Sequence, residues 1–320
     1  MRLFQNAQYR FIEKRRGAYV LSAIVLALGI GAMLLNVVSI GSWLNYGVDF
    51  EGGSLVQVQF ENPVTSDDIR QALGPANAAE VTAFGSQSEY LIRAPLAEDA
   101  SITEVAEEME RLLAEGFGAG TFEIRSTELV TAKVGGELQQ KALFAILFSM
   151  LLTLTYLAMR FELRFGLAAV IATAHDILVT LGFLAAFRVE IALPTVAAIL
   201  TILGYSLNDT IVVFDRIREN MRAKGARKRD PIDLVNQSIN ETLPRTVLTS
   251  GTTLAVLFAL LVLGGAVIRD FTMVLILGIV VGTYSSIFVA SPALIEIQKR
   301  WGVGKTREEK KRERPQPATV

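Results

Sequence analysis

Six stretches of about 20 apolar residues, each long enough to cross a hydrocarbon layer of roughly 30 Å as a helix, constrain this chain more than anything else in it. They fall at 18–38, 141–159, 165–187, 191–214, 244–264 and 271–297. Inside hydrocarbon every backbone N–H and C=O must be satisfied within the protein, which a helix achieves by itself. The first stretch follows Lys14, Arg15 and Arg16, as the apolar core of a signal peptide would. It is longer than the roughly 7–15 residues of such a leader and five more spans follow, so it reads as a retained anchor.

Basic residues in short loops set the orientation. Arg2, Arg10, Lys14, Arg15 and Arg16 precede the first span, and Arg160 and Arg164 lie between the second and third. Seven Lys and Arg fall between Arg216 and Arg229, and eight between Lys299 and Arg314. The opposite short loops hold only Arg188 and Arg269. With six spans, all the basic-rich segments share one side. That places residues 1–17, the loop 215–243 and the tail 298–320 in the cytoplasm. Residues 39–138 are then outside, and spans two to six occupy 139–297.

The outside stretch 39–137 holds 17 Asp plus Glu against five Lys plus Arg, near −12, although the whole chain nets −1. The molecule is dipolar. An acidic exterior argues against nucleic acid and against anchoring on anionic headgroups, and leaves the lipid bilayer as the expected surroundings. With no cysteine, disulfides and thiol chemistry are excluded. The mixed-charge stretch 305–320, with Pro315 and Pro317, reads as a solvated tail.

Within the outside stretch the hydrophobic period changes. "SLVQVQF" (54–60) alternates as a strand, and "TSDDIRQAL" (65–73) opens with capping residues and reads as a helix stopped at Gly74-Pro75. Short strands at 80–83 and 89–94, an acid-led amphipathic helix at 101–116 and a strand at 121–130 follow. The order βαββαβ predicts a small α+β ferredoxin-like domain. No metal-ligand cluster, nucleophile–base pair or phosphate-binding glycine loop stands out, so binding or mechanical transmission is expected rather than catalysis. "YGVDFEGGS" (46–54) joins the first span to this domain. Asp49, Gly52 and Gly53 read as a turn or hinge there, the glycines allowing backbone angles closed to other residues.

Polar residues inside the spans are the candidate site. They are His175 and Asp176 in the third, Asn208 and Asp209 in the fourth, and Arg245, Thr249 and Ser250 near the start of the fifth. An aspartate at mid-helix costs roughly 2.5–3.5 kcal/mol on insertion, so such residues face a partner or a cavity. Arg245 has a stem long enough to carry its head group to water, and His175 beside Asp176 reads equally as a packing lock. Asp209 lies about five residues, roughly 7 Å, inside the end of its predicted span, too deep for its short stem. Its chemistry suits carriage of a proton between alternating surroundings. A buried, hydrogen-bonded structural role stands as the other reading.

Taken together, "YGVDFEGGS", "AHDILVTLGF" (174–183), "LGYSLNDTIVVFDRIREN" (203–220), "RTVLTSGTTL" (245–254) and "GIVVGTYSSIFVASP" (278–292) resemble the SecF family of protein-export membrane subunits. The resemblance spans essentially residues 46–292, spacing included. It implies a six-span half of a resistance–nodulation–division (RND) type transporter, completed by a SecD half of the same topology. Such a pair promotes late, ATP-independent movement of unfolded preproteins emerging from the SecYEG channel, driven by the proton gradient. The resemblance puts Asp209 and Arg245 on the proton pathway, with Thr249 one turn further and an aspartate of SecD as the remaining partner. No cofactor is implied. A carboxylate serves H+ or Na+, and the residues do not choose between them. The single set of six spans fits the form in which SecD and SecF are separate chains.

Three other functions compete with this one. A small-molecule or lipid exporter of the same superfamily usually carries both halves and larger exterior domains. A passive assembly subunit would use its polar residues only to hold helices together. An intramembrane aspartyl protease built on Asp176 and Asp209 lacks the Gly-x-Gly-Asp arrangement in its fourth span.

Overall fold

The computed structural model describes residues 7–74, 80–83, 88–94, 101–130, 132–223, 229–265 and 268–300. Helix α1 (Arg15–Ile40) starts after a single 3-10 turn at Ile12–Lys14 and ends at Gly41, whose left-handed backbone lets its amide reach the Val37 carbonyl. A two-residue strand β1 (Asn45–Tyr46) and one helical turn α2 (Val48–Glu51) lead into the α+β domain.

That domain runs β2 (Gly53–Phe60), α3 (Ser66–Leu73), β3 (Glu80–Ala83), β4 (Glu89–Ala94), α4 (Ile102–Phe117) and β5 (Phe122–Val130). Its sheet has the order β3-β4-β2-β5, and every pairing is antiparallel. This is the ferredoxin-like arrangement that the βαββαβ order predicts. Alternation puts Val56, Val58 and Phe60 of β2 and Tyr90, Ile92 and Ala94 of β4 on one face. Ile69 and Leu73 of α3 and Val105, Met109 and Leu113 of α4 close over it, forming the domain core. Both helices begin with capping boxes, Thr65 with Asp68 and Ser101 with Glu104. The Thr65 hydroxyl and amide hold the Asp68 carboxyl below its usual range, and the Ser101 amide and hydroxyl do the same for Glu104.

The remaining helices are α5 (Ala132–Arg160), α6 (Leu163–Ala186), α7 (Leu193–Arg222), α8 (Pro231–Leu263), α9 (Arg269–Ser285) and α10 (Ser291–Arg300), with a two-residue strand β6 (Glu190–Ile191) before α7. A single wide π-helical turn, Ser286–Ala290, joins α9 to α10. Among the described residues this gives six membrane-length apolar helices: α1, α5, α6, α7, α8 and the continuous α9–α10. The chain is a polytopic α-helical membrane protein carrying one small α+β domain. α6, α7 and α9 form the buried centre, whereas α1 and α5 leave most of their apolar side chains exposed, as lipid-facing helices do.

One expectation needs correction. Residues 215–243 are not simply a loop, because α7 continues to Arg222 and α8 begins at Pro231. Of the turn between them, 224–228 lie outside the described residues. Thirty residues of α7 and 33 of α8 extend roughly 45 and 50 Å, well past the hydrocarbon. The polar composition hid a helical period: Ile217, Leu234, Val235 and Ile239 face inward. Arg216 bonds both Glu219 on its own helix and Glu241 on α8 at 2.6 Å.

The residues before α1 are also fixed. Asn240 Oδ1 accepts from the Tyr9 amide at 2.9 Å, and Asn236 Oδ1 accepts from the Ile12 amide at 3.0 Å. Two asparagines one turn apart on α8 thus read the backbone of the N-terminal segment. Of the N-terminal stretch, residues 1–6 lie outside the described residues; of the tail, 301–320 do.

Candidate functional site

α7 places Asp209 where it meets α8 and the junction of α9 with the π turn. Thr246 Oγ1 donates to Asp209 Oδ1 and Ser286 Oγ donates to Oδ2, each at 2.6 Å. Both hydroxyls come from buried residues, and the carboxyl is half-buried between them. α7 and α9 approach closely here because Gly282 has no side chain, and a Cβ on it would lie 2.9 Å from that of Ser206. Ser250 on α8 and Thr283 on α9 share a hydrogen bond of 2.7 Å, tying the same helices together. The π turn lies at this carboxylate. Such turns recur where a helix departs from regular geometry for function.

Among the described residues Asp209 makes no ion pair. Arg245 comes immediately before Thr246 on α8, so its side chain leaves the helix about 100° away. It is exposed, and lines a cleft of about 460 Å³ with Ile211, Asp215 and Glu241. The Thr249 hydroxyl bonds back to the Arg245 carbonyl at 2.8 Å and is exposed too, as is Asn208. The three residues of the sequence-predicted trio therefore make no direct bond to one another's side chains here, although the Arg245 guanidinium is near enough to Asp209 to act on it through space. Asp209 is gripped by two hydroxyls, while Arg245 and Thr249 face outward. Thr246 and Ser286 escaped the sequence reading. The only signal for them was a run of small hydroxyl residues inside apolar helices.

His175 and Asp176 are buried at the contact of α6 with α1, α7 and α9, and bond each other and nearby serines. They do not touch Asp209.

The linker is built more firmly than a swivel. β1 pairs in parallel with β6, and the Gly47 amide continues the ladder to the Ile191 carbonyl at 3.0 Å. Asp49 Oδ2 accepts from the Leu193 amide at 2.8 Å, so it supplies the cap that Ala192 at the start of α7 cannot. Gln139 on α5 donates to the Phe50 carbonyl at 3.2 Å, and Arg93 of the α+β domain lies 3.8 Å from Glu190. Gly52 and Gly53 take φ of +86° and +151°, which only glycine adopts without strain. The helix that carries Asp209 is thus anchored at its far end by the linker that leads into the α+β domain. Asp49→Ala should lower stability by about 1 kcal/mol, read as an earlier thermal unfolding transition in detergent, and Asp49→Asn, which still caps, should recover most of it.

Residues 111–300 match the family model described as protein export membrane protein SecD/SecF, C-terminal, and residues 37–64 match that of the SecD/SecF GG motif. The chain is 42% identical to the protein translocase subunit SecF of Gemmatimonas aurantiaca, over 94% of this chain and 90% of that one. It is 45% identical to that of Desulfurispirillum indicum, over 91% and 92% of the two chains. Among solved structures it superposes on SecDF, a translocon-associated membrane protein from Thermus thermophilus, with a TM-score of 0.74 and 38% identity. That alignment covers 94% of this chain and 40% of the length of SecDF.

Proposed function

This chain belongs to the SecF family of protein translocase subunits, and from that premise we propose that it draws on the proton motive force, with a SecD partner, to promote late preprotein translocation. In this reading it sits in a bacterial cytoplasmic membrane with both termini in the cytoplasm and the acidic α+β domain outside. The observation that carries the reading is the bonding of Asp209. Its carboxyl is hydrogen-bonded by Thr246 and Ser286, and among the described residues no cation forms an ion pair with it, the Arg245 guanidinium acting on it only through space. Each oxygen accepts one hydroxyl hydrogen and keeps a free lone pair, so a proton can be added without breaking either bond.

The outward-facing groups fit the same reading. Asn208, Arg245 and Thr249 are exposed on α7 and α8, where lipid is a poor neighbour for a guanidinium. A second half of like topology would cover them and bring its own carboxylate, completing the site. Protonation of Asp209 removes a charge from the seam between α7, α8 and α9. Loss of that proton restores it, and each charge moved across the membrane supplies about 2.3 kcal/mol per 100 mV. The cap between Asp49 and α7 offers a mechanical route to the α+β domain, which would then help draw the emerging chain outward from the SecYEG channel. A passive assembly role is the second reading, supported by how fully the hydroxyls satisfy Asp209.

Inverted vesicles containing this chain and its SecD partner separate these readings. Completion of preprotein export is to be measured under a proton gradient, a sodium gradient and neither. Acceleration by the proton gradient alone, lost on adding a protonophore, is expected. Acceleration by sodium alone would reassign the ion, and equal export in all three conditions would leave the passive role.

A further inference from the structure

The site at Asp209 makes no use of His175 or Asp176, yet these are 8% and 1% exposed in the centre of the bundle. Asp176 Oδ2 accepts from Ser206 Oγ on α7 at 2.6 Å and from Ser285 Oγ on α9 at 2.7 Å. Its Oδ1 lies 3.0 Å from His175 Nδ1. His175 Nε2 lies 3.1 Å from Ser22 Oγ on α1, and Ser22 Oγ lies 3.1 Å from Tyr284 Oη on α9. Tyr284 Oη donates to the Ala18 carbonyl at 2.9 Å.

Hydrogens can be counted along this path. Four links run from Asp176 to the Ala18 carbonyl, through His175, Ser22 and Tyr284, and each needs one hydrogen. Ser22 and Tyr284 own one apiece and the carbonyl none, so His175 and Asp176 must supply two. A carboxylate beside a neutral imidazole has only one. An imidazolium beside a carboxylate has two, and so does a neutral imidazole beside a carboxylic acid. All four links therefore form only when the pair has taken up one proton and carries no net charge. The same state spares the bundle an uncompensated charge at a depth where charge is costly.

We propose that His175 and Asp176 form a second proton-holding site of this chain, separate from Asp209, whose proton is kept in place by the hydroxyls of Ser22 and Tyr284. The site touches every central helix. α1 contributes Ser22 to it, α7 contributes Ser206, and α9 contributes Ser285 and the titratable Tyr284. The nearest titratable groups on α7 are Tyr205, adjacent to Ser206, and Asp209, three residues beyond it. Ser285 donates to Asp176 and its neighbour Ser286 donates to Asp209. A shift of α9 against α7 therefore alters the bonds of both carboxyls together. Movement of α1 breaks the link between His175 and Ser22, and with it the need for the second hydrogen.

The proposal does not depend on Asp209 carrying a proton, and the chain's single histidine gives it a direct test. The chain is prepared with isotopically labelled histidine, assembled with its unlabelled SecD partner in lipid nanodiscs, and the two ring nitrogens are observed by NMR. Nε2 is expected to carry a hydrogen at neutral pH. It should keep that hydrogen in Asp209→Asn, whatever that variant does to export. In Ser22→Ala, Nε2 has lost the oxygen it donates to, so the second hydrogen is no longer needed and the Nε2 hydrogen should disappear, leaving one hydrogen between Nδ1 and Asp176. A bare Nε2 in the unmodified chain would overturn the proton-holding site. An Nε2 hydrogen unaffected by Ser22→Ala, in protein that still co-purifies with its partner, would overturn the role given to the hydroxyl path.

Discussion

Asp209→Asn should bring gradient-driven export down to the level seen without a gradient, while the variant still assembles with its partner. The structure explains why the two effects separate. Asparagine keeps an oxygen where Thr246 or Ser286 donates, and turns an amide toward the other hydroxyl, which can rotate to accept. Ser286 also has the Thr283 carbonyl at 3.0 Å as an alternative acceptor. The structural cost is that of rearranging one hydrogen bond, about 1 kcal/mol. The functional loss is complete, because an amide takes up no proton in the physiological range. Asp209→Ala is the harsher control: it takes the carboxylate acceptor from both hydroxyls, leaving Ser286 only the Thr283 carbonyl, and should cost about 1–3 kcal/mol in the stability of the complex. Export rates in inverted vesicles, measured beside co-purification yield, distinguish the outcomes. Export at the unmodified rate in Asp209→Asn would make the residue a packing element and move the ion path to the partner chain.

What the sequence disclosed about this site follows from which properties are local. Apolar length marked the six membrane helices, and two hydrophobic periods marked the sandwich. Residue type singled out Asp209, Asp176 and His175, because carboxylates and imidazoles are rare and expensive at that depth. The partners of those residues depend instead on how helices are rotated about their axes, and one position along a helix turns a side chain by about 100°. Arg245 and Thr246 are adjacent in sequence, yet only Thr246 bonds Asp209. By the same rotation Ser285 and Ser286, adjacent where α9 meets the wide turn at Ser286–Ala290, reach different carboxyls. Asp49 was legible as part of a turn, but its role as the cap of a helix that starts 144 residues later was not. Polar composition also misled: the helical extensions beyond 214 carry their apolar residues at helical spacing, and that spacing outweighs the charges between them.

Gly182→Val should separate α1 from α6 and disrupt the bundle more than a buried valine would at most positions. The two helices cross where Gly29 and Gly182 face each other without side chains. A Cβ on Gly182 would lie 2.7 Å from the Cα of Gly29, and one on Gly29 would lie 2.8 Å from the Cα of Gly182. Both contacts are to backbone, so no flexible side chain can give way, and the helices must move apart. Overpacking of this kind typically costs about 1–3 kcal/mol. Here the cost extends further, because Ser22 and His175 sit seven residues earlier on the same two helices and share the seam. A displacement that removes the clash at 182 also stretches the 3.1 Å link from His175 to Ser22. Gly182→Ala should therefore show a smaller loss than Gly182→Val in thermal unfolding and in yield of the assembled complex. Because hydrocarbon gives apolar helices little reason to associate except close packing and hydrogen bonds, neither loss can be made good by the added methyl groups. Equal stability in glycine, alanine and valine forms would mean that α1 does not rest on α6 at this crossing. The link through Ser22 would then lose its structural support.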